Sequence, residues 1–130
     1  MAEILTPDIC VIGAGSGGLT TAAAAAAFGV PVVLVERGKM GGDCLNYGCV
    51  PSKALIAAGK HAAAIREAPA FGVSTGDPLV DFPAVKDHVD AVIAAIAPND
   101  SVERFEGLGV TVIKADATFV DPRTISAGGQ

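Results

Sequence analysis

At 130 residues the chain is long enough for one domain with its own core. Hydrophobic residues make up 51% and charged residues 18%, with no tryptophan, one tyrosine and five phenylalanines, a mostly aliphatic content that favours an α/β domain over disorder. A formal charge of −5 and the lack of any Lys/Arg cluster argue against nucleic acid and against an anionic membrane as partners.

Residues 1–10 carry Glu3 and Asp8 and no basic run, so no secretory leader is expected and the protein is placed in the cytoplasm. There a structural disulfide is unusual, which draws attention to closely spaced cysteines. Residues 8–12 (DICVI) are predicted as a buried strand, with Cys10 a small core residue within it. Gly13-Ala14-Gly15-Ser16-Gly17-Gly18 follows, then an alanine-dominated helix to Phe28, with Gly29 at the position that ends a helix. Pro31 leads into VVLVE, a β-branched strand closing on Glu36. The apolar stretch from Leu19 to Val35 is therefore helix plus strand rather than a membrane span, broken as it is by Gly29 and Pro31. Strand, glycine turn, helix and strand within about 30 residues make the βαβ unit of a parallel sheet.

In that unit Gly13-x-Gly15-x-x-Gly18 stands where a dinucleotide fingerprint must stand. Gly13 permits the tight turn, Gly15 lets the backbone approach a pyrophosphate, and Gly18 permits close helix–strand packing. The phosphates then meet free N–H groups at the positive end of the helix dipole. Glu36, 18 residues beyond Gly18, can accept hydrogen bonds from both ribose hydroxyls of an adenosine and would repel a 2′-phosphate. The motif alone does not choose between FAD and NAD.

A glycine-rich loop (Gly38, Gly41, Gly42) precedes Cys44-Leu-Asn-Tyr-Gly-Cys49. In a regular helix two such residues would lie about 8–9 Å apart at Cα, beyond the roughly 4.4–6.8 Å a disulfide accepts. A bridge therefore needs an irregular segment, for which Gly48 and Pro51 are suited. It would close a loop so small that it stabilises by only about 2 kcal/mol, so stability is a poor reason for it. Cys49 precedes Pro51-Ser52-Lys53 at a helix start, where the dipole and an ammonium can lower a thiol pKa for exchange chemistry. Two inert thiols, or a two-thiolate metal site, are the other readings; His61 and His88 have no metal-like spacing to the pair.

A helix then runs to about Glu67 with Leu55, Ala58, Ala62 and Ile65 on its apolar face, and residues 68–80 form a loop. A second helix starts at Asp81-Phe82-Pro83, an acidic cap with an early proline, and turns Val85, Val89, Val92, Ile93 and Ile96 to one side. Pro98 stops or kinks it, and Asn99, Asp100 or Ser101 caps a further turn to Gly107. Residues 110–114 are predicted as a strand and 117–127 as a hairpin around Asp121-Pro122-Arg123. The chain stops at Gly128-Gly129-Gln130, just after a strand, which suggests a domain cut short.

Together, VIGAGSGGLTTA, VVLVE and GGDCLNYGCVPSKAL resemble the class I pyridine nucleotide–disulfide oxidoreductases, the group containing dihydrolipoamide dehydrogenase, glutathione reductase and mercuric reductase. The resemblance implies a Rossmann-like α/β FAD-binding domain with a parallel sheet and a β-hairpin or meander. Residues 1–130 would be its N-terminal part, the rest of that domain, an NAD(P)H domain and a dimerisation domain being absent. It also implies roles. Gly13, Gly15, Ser16, Gly17 and Gly18 would hold the FAD pyrophosphate and Glu36 the ribose, with Arg37 and Gly42 lining the cofactor beside them. Cys44 would be the thiol that attacks substrate, Cys49 the thiol against the flavin, Lys53 a neighbour of the reduced flavin, and Ala117 a backbone contact to adenine. Electrons would pass from NAD(P)H through FAD and the Cys44–Cys49 disulfide to a small-molecule disulfide or Hg(II), in a full-length homodimer. Pro51-Ser52-Lys53-Ala54-Leu55 looks closer to the lipoamide and mercuric branches. Many relatives place Thr before the first cysteine; Asp43 stands here, which puts that phosphate contact in doubt. With one glycine turn for one nucleotide, the 130 residues alone are expected to be inactive. An NAD-dependent dehydrogenase with incidental cysteines, or a non-catalytic nucleotide-binding module, would share parts of this pattern.

Overall fold

The computed structural model describes residues 3–129; Met1, Ala2 and Gln130, which enter the leader-peptide and chain-end readings, lie outside the described residues. Three strands, β1 (Ile9–Ile12), β2 (Val32–Val35) and β3 (Thr111–Ile113), form a parallel sheet in the order β1-β2-β3. Between β1 and β2 runs α1 (Ser16–Ala27), which ends through Phe28 and Gly29, the latter at φ +74°. Only glycine takes that left-handed conformation without strain, so this stop is set by the sequence. Parallel pairing puts Cys10 opposite Val33 and Val11 opposite Leu34.

The alternation of the pleat assigns each sheet face its own cover. Val11, Val32 and Leu34 point to the helix side, where they pack with Ala14, Leu19, Ala22, Ala25, Phe105 and Val110. The alanines explain how α1 comes so close to the sheet; larger residues there would hold it off. Val33 and Val35 face the other way and meet Ala127, Ile113, Ala117 and Ile125 of the hairpin side. That hairpin is β4 (Ala117–Asp121) paired antiparallel with β5 (Thr124–Ala127), with a bulge between Phe119 and Asp121.

The expectation for Cys10 is corrected here. Its register places it on the hairpin face of the edge strand β1, where cover is incomplete, and it is exposed rather than core.

Four helices complete the helical side: α2 (Gly42–Asn46), α3 (Cys49–Glu67), α4 (Phe82–Ile96) and α5 (Val102–Gly107). The predicted caps are present. Asp81 accepts the Ala84 N–H at 3.1 Å and Ser101 accepts that of Arg104 at 3.2 Å. Residues 68–71 and 97–100 are short 3₁₀ turns, the second around Pro98. On α4, Val89 is buried and Val85, Val92, Ile93 and Ile96 are half-buried, as expected. On α3 the inward face is Ala54, Ala58 and Ala62, while Leu55 and Ile65 are exposed. Ala58 and Ala62 are therefore where they were expected, whereas Leu55 and Ile65 fall outside the covered stripe, which Ala54 joins instead.

Candidate functional site

The β1–α1 turn is shaped by its glycines in the way their spacing predicts. Gly13 adopts φ +101°, a conformation strained for any side chain, and its N–H donates to the Val35 carbonyl at 2.7 Å. A Cβ on Gly18 would run into the Gly13 carbonyl oxygen, so helix and turn can meet only with glycine there. Gly15 and Gly17 differ: a Cβ on either would meet nothing within 4 Å. Their faces border open space, and no side chain caps the first turn of α1. A cradle of open backbone at an uncapped helix start fits a pyrophosphate. Ser16 and Gly17 are exposed at the same turn.

Glu36, at the carboxyl end of β2, reaches back to this turn. One carboxylate oxygen accepts the Ala14 N–H at 2.6 Å and the other accepts that of Gly38. Desolvation pushes the carboxyl up, but the Ala14 and Gly38 N–H groups, with Lys114 and Arg37 nearby, outweigh it and hold it below its ordinary value. Arg37 is exposed and lies 3.8 Å from Asp116, a surface pair worth little. Ala117 follows Asp116 and begins β4, which places it at the same end of the sheet.

The Glu36 shift has a pH consequence whose sign is fixed by linkage. A folded-state pKa below the unfolded one means that the folded chain binds fewer protons. The carboxylate therefore stabilises the fold above the unfolded value, and that contribution is lost as pH falls through the folded one. Urea midpoints between about pH 5 and pH 3 should fall more steeply for the wild type than for Glu36→Gln. Parallel curves would show that this carboxylate does not contribute.

The segment carrying the cysteines is packed onto the glycine turn. Gly41 and Gly42 sit at φ +86° and +56°, and the Gly41 N–H donates to the Ala14 carbonyl at 2.9 Å. A Cβ on Gly42 would come within 2.7 Å of the Gly15 Cα. Thus both ends of the Ala14 residue are held, its N–H by Glu36 and its carbonyl by Gly41. Gly42 enters as part of this contact.

Cys44 lies on α2 and Cys49 opens α3. The break between them is the irregular segment the spacing requires: Gly48 takes φ −121°, ψ −104°, and a Cβ there would sit 3.0 Å from the Asp43 carbonyl oxygen. A side chain here would press on the Asp43 carbonyl, so glycine eases the reversal. Pro51 falls in the first turn of α3, where no N–H is needed. Both cysteines are free thiols, Cys44 half-buried and Cys49 exposed. The neighbouring Cys49 thiol, followed by desolvation, pushes the Cys44 thiol up, while the Lys53 ammonium and the Cys49 N–H pull the other way. Lys53 is one turn into α3. Asp43 is exposed in the first turn of α2, where the helix dipole favours an anion.

A cleft of about 490 Å³ connects these parts, with Ser16, Gly41 and Cys44 on one side and Ile96, Arg104 and Phe105 on the other. Among the described residues no cluster of three or more His, Cys, Asp or Glu forms a metal site, and no helix is long and apolar enough to cross a membrane. Three residues of the site escaped the sequence reading: Ala14, Gly41 and Asn46. The tandem Gly41-Gly42 was a signal of close backbone approach, and the polar Asn46 between two cysteines was another. Neither identifies its partner without the fold.

The pyridine nucleotide-disulphide oxidoreductase profile matches residues 7–129. The chain is 32% identical to a mercuric reductase of Staphylococcus aureus over 123 residues, 95% of this chain and 22% of that protein. It is 37% identical to a mercuric reductase of Streptomyces lividans over 115 residues, covering 88% and 24%. With dihydrolipoyl dehydrogenase 2 of Haloarcula marismortui the identity is 40% over 119 residues, covering 91% and 25%. The chain spans about a quarter of the length of these curated relatives.

Proposed function

The chain belongs to the pyridine nucleotide-disulphide oxidoreductase family, and from that premise we propose that it supplies the FAD-pyrophosphate turn and the redox-active Cys44–Cys49 pair of a dithiol–disulfide oxidoreductase. Members of the family bind FAD and use NAD(P)H. On this reading residues 1–130 contribute the N-terminal part of an FAD-binding domain in a cytoplasmic homodimer, whose acceptor is a small-molecule disulfide or Hg(II).

One observation carries the reading: two free thiols, Cys44 on α2 and Cys49 at the start of α3, flank a tight chain reversal on the segment that packs against the open glycine cradle. Gly13, Gly15, Ser16, Gly17 and Gly18 would hold the pyrophosphate, Glu36 the ribose, and Arg37, Gly42 and Ala117 the surrounding surface. Bound FAD would supply two-electron chemistry next to the thiols. The chain's own residues do the rest: Gly48 brings the sulfurs together, and Lys53 favours the thiolate of Cys44 against the opposing effect of Cys49. Proton loss from Cys44 is then the step that prepares it to attack a disulfide or bind a soft metal ion.

The test is alkylation mass spectrometry before and after mild reductant. Cys44 and Cys49 should be protected together after oxidation and label together after reduction, while Cys10 labels throughout. Full labelling of all three cysteines under oxidising conditions that spare the fold would overturn the proposal.

A further inference from the structure

Asn46 has a place in the site that neither the glycine motif nor the cysteine pair accounts for. Its side-chain amide donates to two backbone carbonyls at once, Met40 at 3.0 Å and Gly42 at 2.8 Å. The residues between those carbonyls form the left-handed Gly41-Gly42 turn. That turn is attached to the phosphate-side loop through Gly41 N–H to the Ala14 carbonyl and through the Gly42–Gly15 contact. Two residues after Gly42 comes Cys44. A carboxamide that straps the turn from inside therefore sets where α2 starts, and with it where the Cys44 sulfur stands relative to Cys49.

We propose that Asn46 is a positioning residue for the thiol pair, holding the 40–42 turn so that Cys44 stays within bonding reach of Cys49. This rests on the reading of Cys44 and Cys49 as the redox pair. Alanine at 46 removes both donors and leaves two part-buried carbonyls without them. The turn loosens, the two sulfurs spend less time in register, and closing the disulfide becomes less favourable.

The experiment measures dithiol–disulfide equilibrium in glutathione buffers. The protein dithiol gives two electrons and two protons to glutathione disulfide, an S–S bond forms between Cys44 and Cys49, and two glutathione thiols are released. Alkylation after acid quench reads the fraction oxidised. Asn46→Ala should lower the equilibrium constant by about five- to tenfold, in line with the loss of two hydrogen bonds, and should speed labelling of Cys44 with no change at Cys10. Asn99→Ala, an exposed amide whose side chain bonds nothing described, should match the wild type. Asn46→Ser retains a donor hydroxyl and should fall between. It also decides the matter if the alanine variant does not fold. Folded variants whose equilibrium stays within twofold of wild type would overturn the positioning role while leaving the redox pair intact. A wild type that forms no Cys44–Cys49 disulfide would take down the functional reading and this inference together.

Discussion

Gly18→Ala should cost about 3 kcal/mol of folding stability, the upper part of the range for forcing atoms into a packed site. The added Cβ meets the Gly13 carbonyl oxygen and then the Val11 side chain, with a Val11 Cγ1 only 3.2 Å away. A flexible side chain could swing aside, but a backbone carbonyl held in a tight turn cannot. Gly13 is already at φ +101° and is tied to Val35, so relief requires α1 to lift off the sheet. Lifting it pulls Leu19, Ala22 and Ala25, a third of the buried residues of the larger apolar cluster, away from the rest. Gly59→Ala provides the opposite sign. Gly59 lies inside α3 with open space around its Cβ position, so alanine should stabilise by up to about 1 kcal/mol through helix propensity. Urea unfolding of both variants checks the pair. Wild-type stability in Gly18→Ala would mean that helix and turn are not in contact as described.

The contrast between those two glycines shows what is legible in a sequence and what is not. Gly13, Gly15 and Gly18 could be read because one local motif sets all three, and strand, turn and helix are contiguous. Asp81 and Ser101 could be read as caps for the same reason: a cap and its helix are within four residues. The doubling back at Gly48 followed from the reach of a disulfide set against helix geometry. The roles of Ala14 and Gly41 could not be read, because they depend on how two loops some 25 residues apart come together, and that of Asn46, though its partners are local, depends on the left-handed turn at Gly41-Gly42. The failure at Cys10 has the same origin. An apolar strand predicts two covered faces, and only the fold shows that one face of β1 lies at the thinly covered edge. On α3 the alanines gave too little contrast to fix the buried face to within a residue, and the larger Leu55 and Ile65 drew the expectation outward.

Glu36→Ala should act twice, once on the fold and once on the cofactor, and the two effects can be separated. On the fold, the Ala14 residue is fully buried and its N–H has Glu36 as acceptor. Removing the carboxylate leaves that donor unsatisfied, at a cost of about 1–3 kcal/mol. Glu36→Gln repairs only part of this. Its single carbonyl oxygen can accept from Ala14 or Gly38, and its NH₂ then faces the other N–H, donor against donor. The expected order of stability is wild type, then glutamine, then alanine. On the cofactor, the proposed ribose contact is a hydrogen bond to a charged group, so its loss should weaken FAD by about 1.5–3 kcal/mol, roughly ten- to 150-fold in Kd. FMN, which lacks the adenosine, should be affected far less, provided the variant is measured below its unfolding range. Titration by flavin fluorescence reads both ligands. Equal FAD affinity in folded Glu36→Ala would remove the ribose role and leave the carboxylate as a strap for the glycine turn. Equal stability would remove the strap and leave the ribose.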